Sequence, residues 1–204
     1  MKIKLLNVRL AFPSLFEAKA FAGSDKATFG ASLLFDGKGD PATQYAELTG
    51  ETDATGKPIT VWKASTVRKV IAMVAKDKWA AKADATLKPL LAGERTCLRD
   101  GDMKSQWGGF EGNLYLSSSS EKRPLVVNAD KTPLVAADGK PYGGCYVNAV
   151  VDIWAQDNQY GKRINATLQS VQFFADGDSF AGGSFGTEDD FDDVSAGATA
   201  DDLS

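Results

Sequence analysis

Histidine is absent from all 204 residues. Its absence removes the commonest general base, the usual activator of a nucleophilic serine or cysteine, and nearly every zinc or non-haem iron site. Catalysis would have to run on carboxylates, lysine or tyrosine. Cysteine is almost absent too: Cys97 and Cys145 lie too far apart for a CxxC metal or redox motif and are too few for a disulfide framework, so they read as reduced and structural. No apolar run approaches the roughly 20 residues of a membrane helix, and Asn7 and Arg9 interrupt the apolar stretch a secretion signal would need. Neither a GxxxxGK[ST] phosphate loop nor a GxGxxG fingerprint occurs, and the run Ser117 to Ser120 has no base to activate it. Acidic pairs in Asp36-Gly37-Lys38-Gly39-Asp40 and in Glu47 to Asp53 are the one opening for chemistry, an Mg²⁺-dependent nuclease; the competing reading of Asp-Gly clusters is a plain turn.

What is present is an uneven distribution of charge. The chain holds 23 Lys and Arg against 27 Asp and Glu, a net charge of -4, but the last basic residue is Arg163. From Asp176 onward there are nine acids and no base, so residues 1–175 carry 23 basic and 18 acidic side chains, a balance of +5. Residues 176–204 are rich in Gly, Ala, Ser and Asp, with Phe180, Phe185, Phe191 and Leu203 as their large apolar groups. Such a stretch buries too little surface to offset its ordering entropy. The expectation is one basic domain over residues 1–175 and a disordered acidic C-terminal tail over 176–204. That tail is either a solubilising appendage or a mobile polyanion that competes for the basic body; on the second reading, removing residues 176–204 tightens nucleic-acid binding.

Ile3 to Phe12 reads as a strand stopped by Pro13, and Ala27 to Phe35 as a second strand closed by the Asp36 to Asp40 turn. Between Thr60 and Leu91 the apolar period changes. Val67, Val70, Ile71 and Val74 predict an amphipathic helix, and a second, alanine-rich helix runs from Trp79 to near Pro89 or Gly93. Strands return at Phe110 to Leu116 and Leu125 to Asn128, followed by a long hairpin of Cys145 to Ala155 and Lys162 to Phe174. Its first arm places Cys145, Val147, Ala149, Val151 and Ile153 on one face, with Tyr146, Asn148, Val150, Asp152 and Trp154 on the other. About six strands with a helical insertion at 60–91 suit a mainly β, partly open barrel of OB-fold type.

Sequence-tolerant single-strand binding requires cations for phosphates and aromatic faces for bases. Two segments interleave them: Lys104, Trp107, Phe110, Tyr115, Lys122 and Arg123; then Lys140, Tyr142, Tyr146, Trp154, Tyr160, Lys162 and Arg163. Tyr146 and Trp154 stand out because they lie opposite the apolar register.

The segments Asn7-Val8-Arg9-Leu10-Ala11-Phe12-Pro13, Ser119-Ser120-Glu121-Lys122-Arg123-Pro124, Tyr142-Gly143-Gly144-Cys145-Tyr146-Val147-Asn148-Ala149 and Tyr160-Gly161-Lys162-Arg163-Ile164-Asn165-Ala166 carry a resemblance. They resemble the tailed-phage single-stranded-DNA-binding protein family once catalogued as a domain of unknown function, itself similar to the replication single-strand binders of short-tailed phages. The resemblance spans roughly residues 3 to 185. It implies an OB-fold core with an acidic tail, no catalysis and no cofactor, and a role in DNA replication, recombination or repair in the cytoplasm of an infected bacterium. Single-stranded DNA is the implied partner, with phage replication proteins met through the tail. At the matched positions it assigns DNA contact to Arg123, Tyr142, Tyr146, Lys162 and Arg163; Trp107 and Trp154 join them on chemistry alone. Several single-strand binders end in an aromatic residue. This chain ends Asp202-Leu203-Ser204, which leaves Phe191 as the tail aromatic. The third reading is a virion component that binds no nucleic acid.

Overall fold

A computed structural model describes residues 1–20 and 26–180. Most of the acidic tail, residues 181–204, lies outside the described residues. The strands are β1 (Lys2–Ala20), β2 (Ala27–Phe35), β3 (Ala42–Thr52), β4 (Pro58–Thr66), β5 (Leu98–Asp100), β6 (Leu114–Ser120), β7 (Leu125–Val127), β8 (Tyr146–Asn158) and β9 (Gly161–Ala175). Two helices, α1 (Val67–Trp79) and α2 (Ala83–Ala92), lie between β4 and β5.

The barrel closes because β1 serves two barrel strands, while Ile3 and Lys4 also pair with β3. Its first half, from Lys2 to Arg9, pairs with β8, and its second half, from Arg9 to Ala20, pairs with β2. β2 continues to β6 and β8 to β9, both antiparallel, and a parallel bridge, Ser119 to Thr167, joins β6 to β9. The circuit β1-β2-β6-β9-β8 is a five-stranded barrel in the OB-fold order. Alternation along each strand fills it. Ile3, Leu5, Leu33, Leu116, Val151, Ile153, Ile164 and Leu168 are all at most 1% exposed and belong to one cluster.

Pro13 does not end β1. The strand runs on to Ala20 through a register shift between Ala11 and Ser14, with Phe12 at φ 48°. A bulge needs no ladder donor from its extra residue, so proline is tolerated there. The bulge also re-aims the Phe12 ring, which is 45% exposed.

The helical insertion is shorter than 60–91. Residues through Thr66 form β4, which pairs with β3 in a hairpin whose register runs from Ala42–Thr66 to Leu48–Thr60. The β-branched Ile59-Thr60-Val61 run favours the pleated surface. α1 then starts at Val67, where the Asp40 carboxylate accepts from the Arg68 amide at 3.0 Å and satisfies a helix-start donor. Its Val67, Val70, Ile71, Val74 and Ala75 stripe is buried in the barrel core. Trp79 ends α1 instead of starting the second helix, because Ala80 turns to φ 47°; α2 contains Pro89 and is capped at Gly93. Phe110 is likewise outside a strand: it is a buried turn residue, and β6 starts at Leu114.

The tail does not leave the body at residue 176. Asp176 pairs with Lys140 at 3.2 Å, and the Phe180 amide donates to the Gly143 carbonyl at 3.0 Å. Residues 176–180 therefore run along the barrel surface.

Candidate nucleic-acid interface

The outward registers of β8 and β9 build a polar cleft. Trp154 sits across from Asn165 and Gln156 from Arg163, and Ser117 and Ser119 of β6 form the floor. Arg95, on the segment entering β5, and Arg99, within β5, line it as well. The cleft holds about 320 Å³ where the edge of β6 opposite β2 passes from β5 to β9. Trp154 is 41% exposed, and its indole Nε1 donates to Thr167 Oγ1 at 3.0 Å, which fixes the ring along the strand. The Arg95 carbonyl accepts from the Ile164 amide at 3.0 Å, and Arg99 Nε donates to the Thr96 carbonyl at 3.1 Å.

Among the described residues, no acidic side chain lines this cleft and none of Arg95, Arg99 and Arg163 has a salt bridge. Three uncompensated guanidinium groups beside one another repel, and a polyanion relieves that repulsion. Planar guanidinium groups and an indole face suit phosphates and bases together. Cys97 lines the cleft too, but burial pushes its thiol up to about 12, so it is no nucleophile at neutral pH.

A second, apolar cleft of about 390 Å³ opens at the β1 bulge. Phe12 meets Trp107 edge to face at 5.2 Å and Phe110 at 5.5 Å, and Phe110 meets Tyr115 at 5.1 Å. Lys104 Nζ stands over the Phe12, Phe110 and Tyr115 rings at 5.7, 5.5 and 4.9 Å. Strand β6 joins the two clefts. Tyr115, Ser117 and Ser119 alternate on its outer face; Tyr115 belongs to the aromatic cluster and pairs with Arg99, while the serines floor the arginine cleft.

The expected site residues divide accordingly. Trp154 and Arg163 come together in the arginine cleft, and Trp107 and Tyr142 in the aromatic one. Tyr146 stands beyond the latter, its ring 5.5 Å from the Arg9 guanidinium. The Tyr142 hydroxyl donates to Asp176 at 3.0 Å, and burial pushes the phenol above its ordinary range, so it stays protonated at neutral pH. Lys162 points away from its neighbour Arg163: it pairs with Asp157 at 3.6 Å and caps the Trp79 ring at 5.6 Å, on the helix side of the hairpin. Arg123 is exposed and lies over Phe16 at 5.3 Å, in neither cleft.

Sequence reasoning missed Arg95, Arg99 and Phe12 as site residues. No local signal marked the arginines, because Arg95 precedes β5 and Arg99 meets Arg163 only through the pairing of distant strands. Phe12 was hidden because only the bulge exposes it. The acidic turns are structural: Asp40 starts α1, and Asp53 accepts from the Thr55 and Lys57 amides at 2.8 and 3.0 Å. Among the described residues, no group of three or more His, Cys, Asp or Glu side chains is arranged to hold a metal.

Comparison with known proteins bears on this geometry. The sequence profile of the family described as "Enterobacter phage Enc34, ssDNA-binding protein" matches residues 1–203. Protein p50 of Acyrthosiphon pisum secondary endosymbiont phage 1 is 40% identical over 197 residues, covering 96% of this chain and 95% of that protein. The single-stranded DNA-binding protein from bacteriophage Enc34, solved in complex with ssDNA, superposes with a TM-score of 0.63 at 24% identity, covering 88% of this chain and 89% of that one. A further structure of the same phage protein gives 0.55 at 24% identity, covering 94% and 90%. These structural likenesses share the barrel fold. By the whole-length profile match and the 40% identical relative, the chain belongs to the phage family described as Enterobacter phage Enc34, ssDNA-binding protein.

Proposed function

We propose that this protein binds single-stranded DNA without sequence preference and shields intermediates of phage DNA replication, recombination or repair in the cytoplasm of the infected bacterium. The observation that carries this reading is the arginine cleft: three guanidinium groups and an exposed indole on one face, with no lining carboxylate among the described residues. Membership in a family described as ssDNA-binding, and a fold neighbour solved with ssDNA, support it. Backbone phosphates meet Arg95, Arg99 and Arg163, bases stack on Trp154, and the path continues along the outer face of β6 toward Lys104 and Trp107. Tyr142 and Tyr146 extend the aromatic surface, and Lys162 and Arg123 supply charge at its margins. The acids beyond Phe180 compete with DNA for these cations and present Phe191 to replication proteins.

Titration of tryptophan fluorescence with oligo-dT at several salt concentrations tests the reading. Quenching with an affinity that falls as salt rises is expected, since neutralised phosphates release counterions. Absence of quenching, or an affinity indifferent to salt, overturns it.

A further inference from the structure

The five residues after the last strand, 176–180, pack closely against the body. The Asp178 carbonyl passes over Gly144, where an added Cβ would sit 2.0 Å from that oxygen, and a Cβ on Gly177 would sit 2.5 Å from the Gly144 carbonyl. Two backbones meet here with no room for a side chain. Gly109, at φ +81°, lies under the Phe180 ring, and a Cβ there would approach Phe180 Cζ to 2.5 Å. Arg9 ties the segment from the other side: Nη2 donates to the Asp178 carbonyl at 2.8 Å, Nε donates to the Gly144 carbonyl at 3.1 Å, and the guanidinium stands 4.4 Å over the Phe180 ring. Phe180 is itself a wall of the aromatic cleft, beside Phe12, Trp107 and Tyr142.

Trp107 is 51% exposed and Phe12 45% exposed, which leaves two large apolar faces uncovered around an open volume of about 390 Å³. Lys104, 5.7 Å over the Phe12 ring, places a cation beside the slot. Flat aromatic walls with a neighbouring cation fit a planar heteroaromatic ring on a phosphodiester chain.

Resting on the reading of this protein as a single-strand binder, we propose that the aromatic cleft takes one unstacked nucleobase and that Phe180 is its closing wall, so that residues 176–180 belong to the binding domain and not to the competing tail. The sign of a truncation then depends on where it falls. Ending the chain after Phe180 removes seven of the nine acids from Asp176 onward and keeps the wall; ending it after Ala175 removes the wall as well.

The test compares four proteins for oligo-dT affinity by fluorescence anisotropy: the full chain, the chain ending at Phe180, the chain ending at Ala175, and full-length Phe180→Ala. The chain ending at Phe180 is expected to bind at least as tightly as the full chain. The chain ending at Ala175 is expected to bind about fivefold or more weaker than the one ending at Phe180, the loss of roughly one base stack, and Phe180→Ala to weaken the full chain comparably. Phe180→Tyr keeps a ring and restores affinity, whereas Phe180→Leu keeps bulk and does not, which separates stacking from simple packing if Phe180→Ala folds poorly. Equal affinity of the two truncations, or full rescue by leucine, overturns the proposal while leaving single-strand binding intact. Failure of every variant and of the full chain to bind refutes the underlying reading instead. Trp107 emission, taken as the difference between the chain and its Trp107→Phe variant, supplies the last arm: if it changes when residues 181–204 are removed without DNA and then ignores oligo-dT, the cleft holds the chain's own later residues and the proposal is wrong.

Discussion

Charge and stacking make different predictions at two residues of one cleft, and salt separates them. Arg163 is exposed and unpaired among the described residues, and Trp154 shares its cleft. Removing one phosphate contact to a single strand lowers the slope of log affinity against log salt by about 0.7. Between about 50 and about 200 mM salt, the deficit of Arg163→Ala relative to the parent protein should therefore shrink by about 2.5-fold. Substituting Arg95, Arg99 and Arg163 together should lower the slope by about 2. Trp154→Ala should weaken binding by about 5- to 150-fold, the equivalent of one base stack at about 1–3 kcal/mol, and that factor should stay constant across the same salt range. Anisotropy titrations with labelled oligo-dT at four salt concentrations measure both. A slope unchanged by the triple substitution, or a Trp154→Ala effect that vanishes with salt, refutes the assignment of phosphates to the arginines and bases to the indole.

Other outcomes follow from packing and titration. Ile153→Ala, at a fully buried barrel position, should destabilise the fold by about 2–5 kcal/mol, read from the urea midpoint. Cys97 and Cys145 are buried, with thiols pushed up to about 12 and about 11, so both should resist alkylation at pH 8 until the protein is unfolded. The Lys140 ammonium, and then the Tyr142 hydroxyl, hold the Asp176 carboxyl below its ordinary value of 3.8. A lowered carboxylate pKa contributes stability above the unfolded value that is lost as pH falls through the folded one. Anchorage of residues 176–180 should therefore be complete at pH 5 and weaken as pH falls below 3.8, measured as hydrogen-exchange protection of the Phe180 amide.

The residues show where local information was sufficient. The β8–β9 hairpin was legible because Val147, Ala149, Val151 and Ile153 alternate with polar neighbours, and α1 because Val67, Val70, Ile71 and Val74 repeat at helical spacing. Trp154 and Arg163 could be picked out for the same reason, since period two fixes which side chains face outward. The β3–β4 hairpin was missed: its exposed strands carry no clean alternation, and cross-strand pairing holds them. Arg95 and Arg99 lie about fifty residues before β8 begins, and Lys162 points to the opposite side of β9 from Arg163, toward Asp157 and Trp79.

By itself the sequence determined the absence of histidine chemistry, the basic body with an acidic end, and the inward registers of the main strands. These follow from composition and from periods of two and 3.6 that the chain carries locally. Tertiary structure decided that β1 closes the barrel through a bulge at Pro13, that three arginines from two distant segments share one cleft, and that residues 176–180 pack onto the body. Each is a contact between residues remote in sequence, fixed by the register of paired strands and by glycines that let two backbones touch, and no local pattern encodes it.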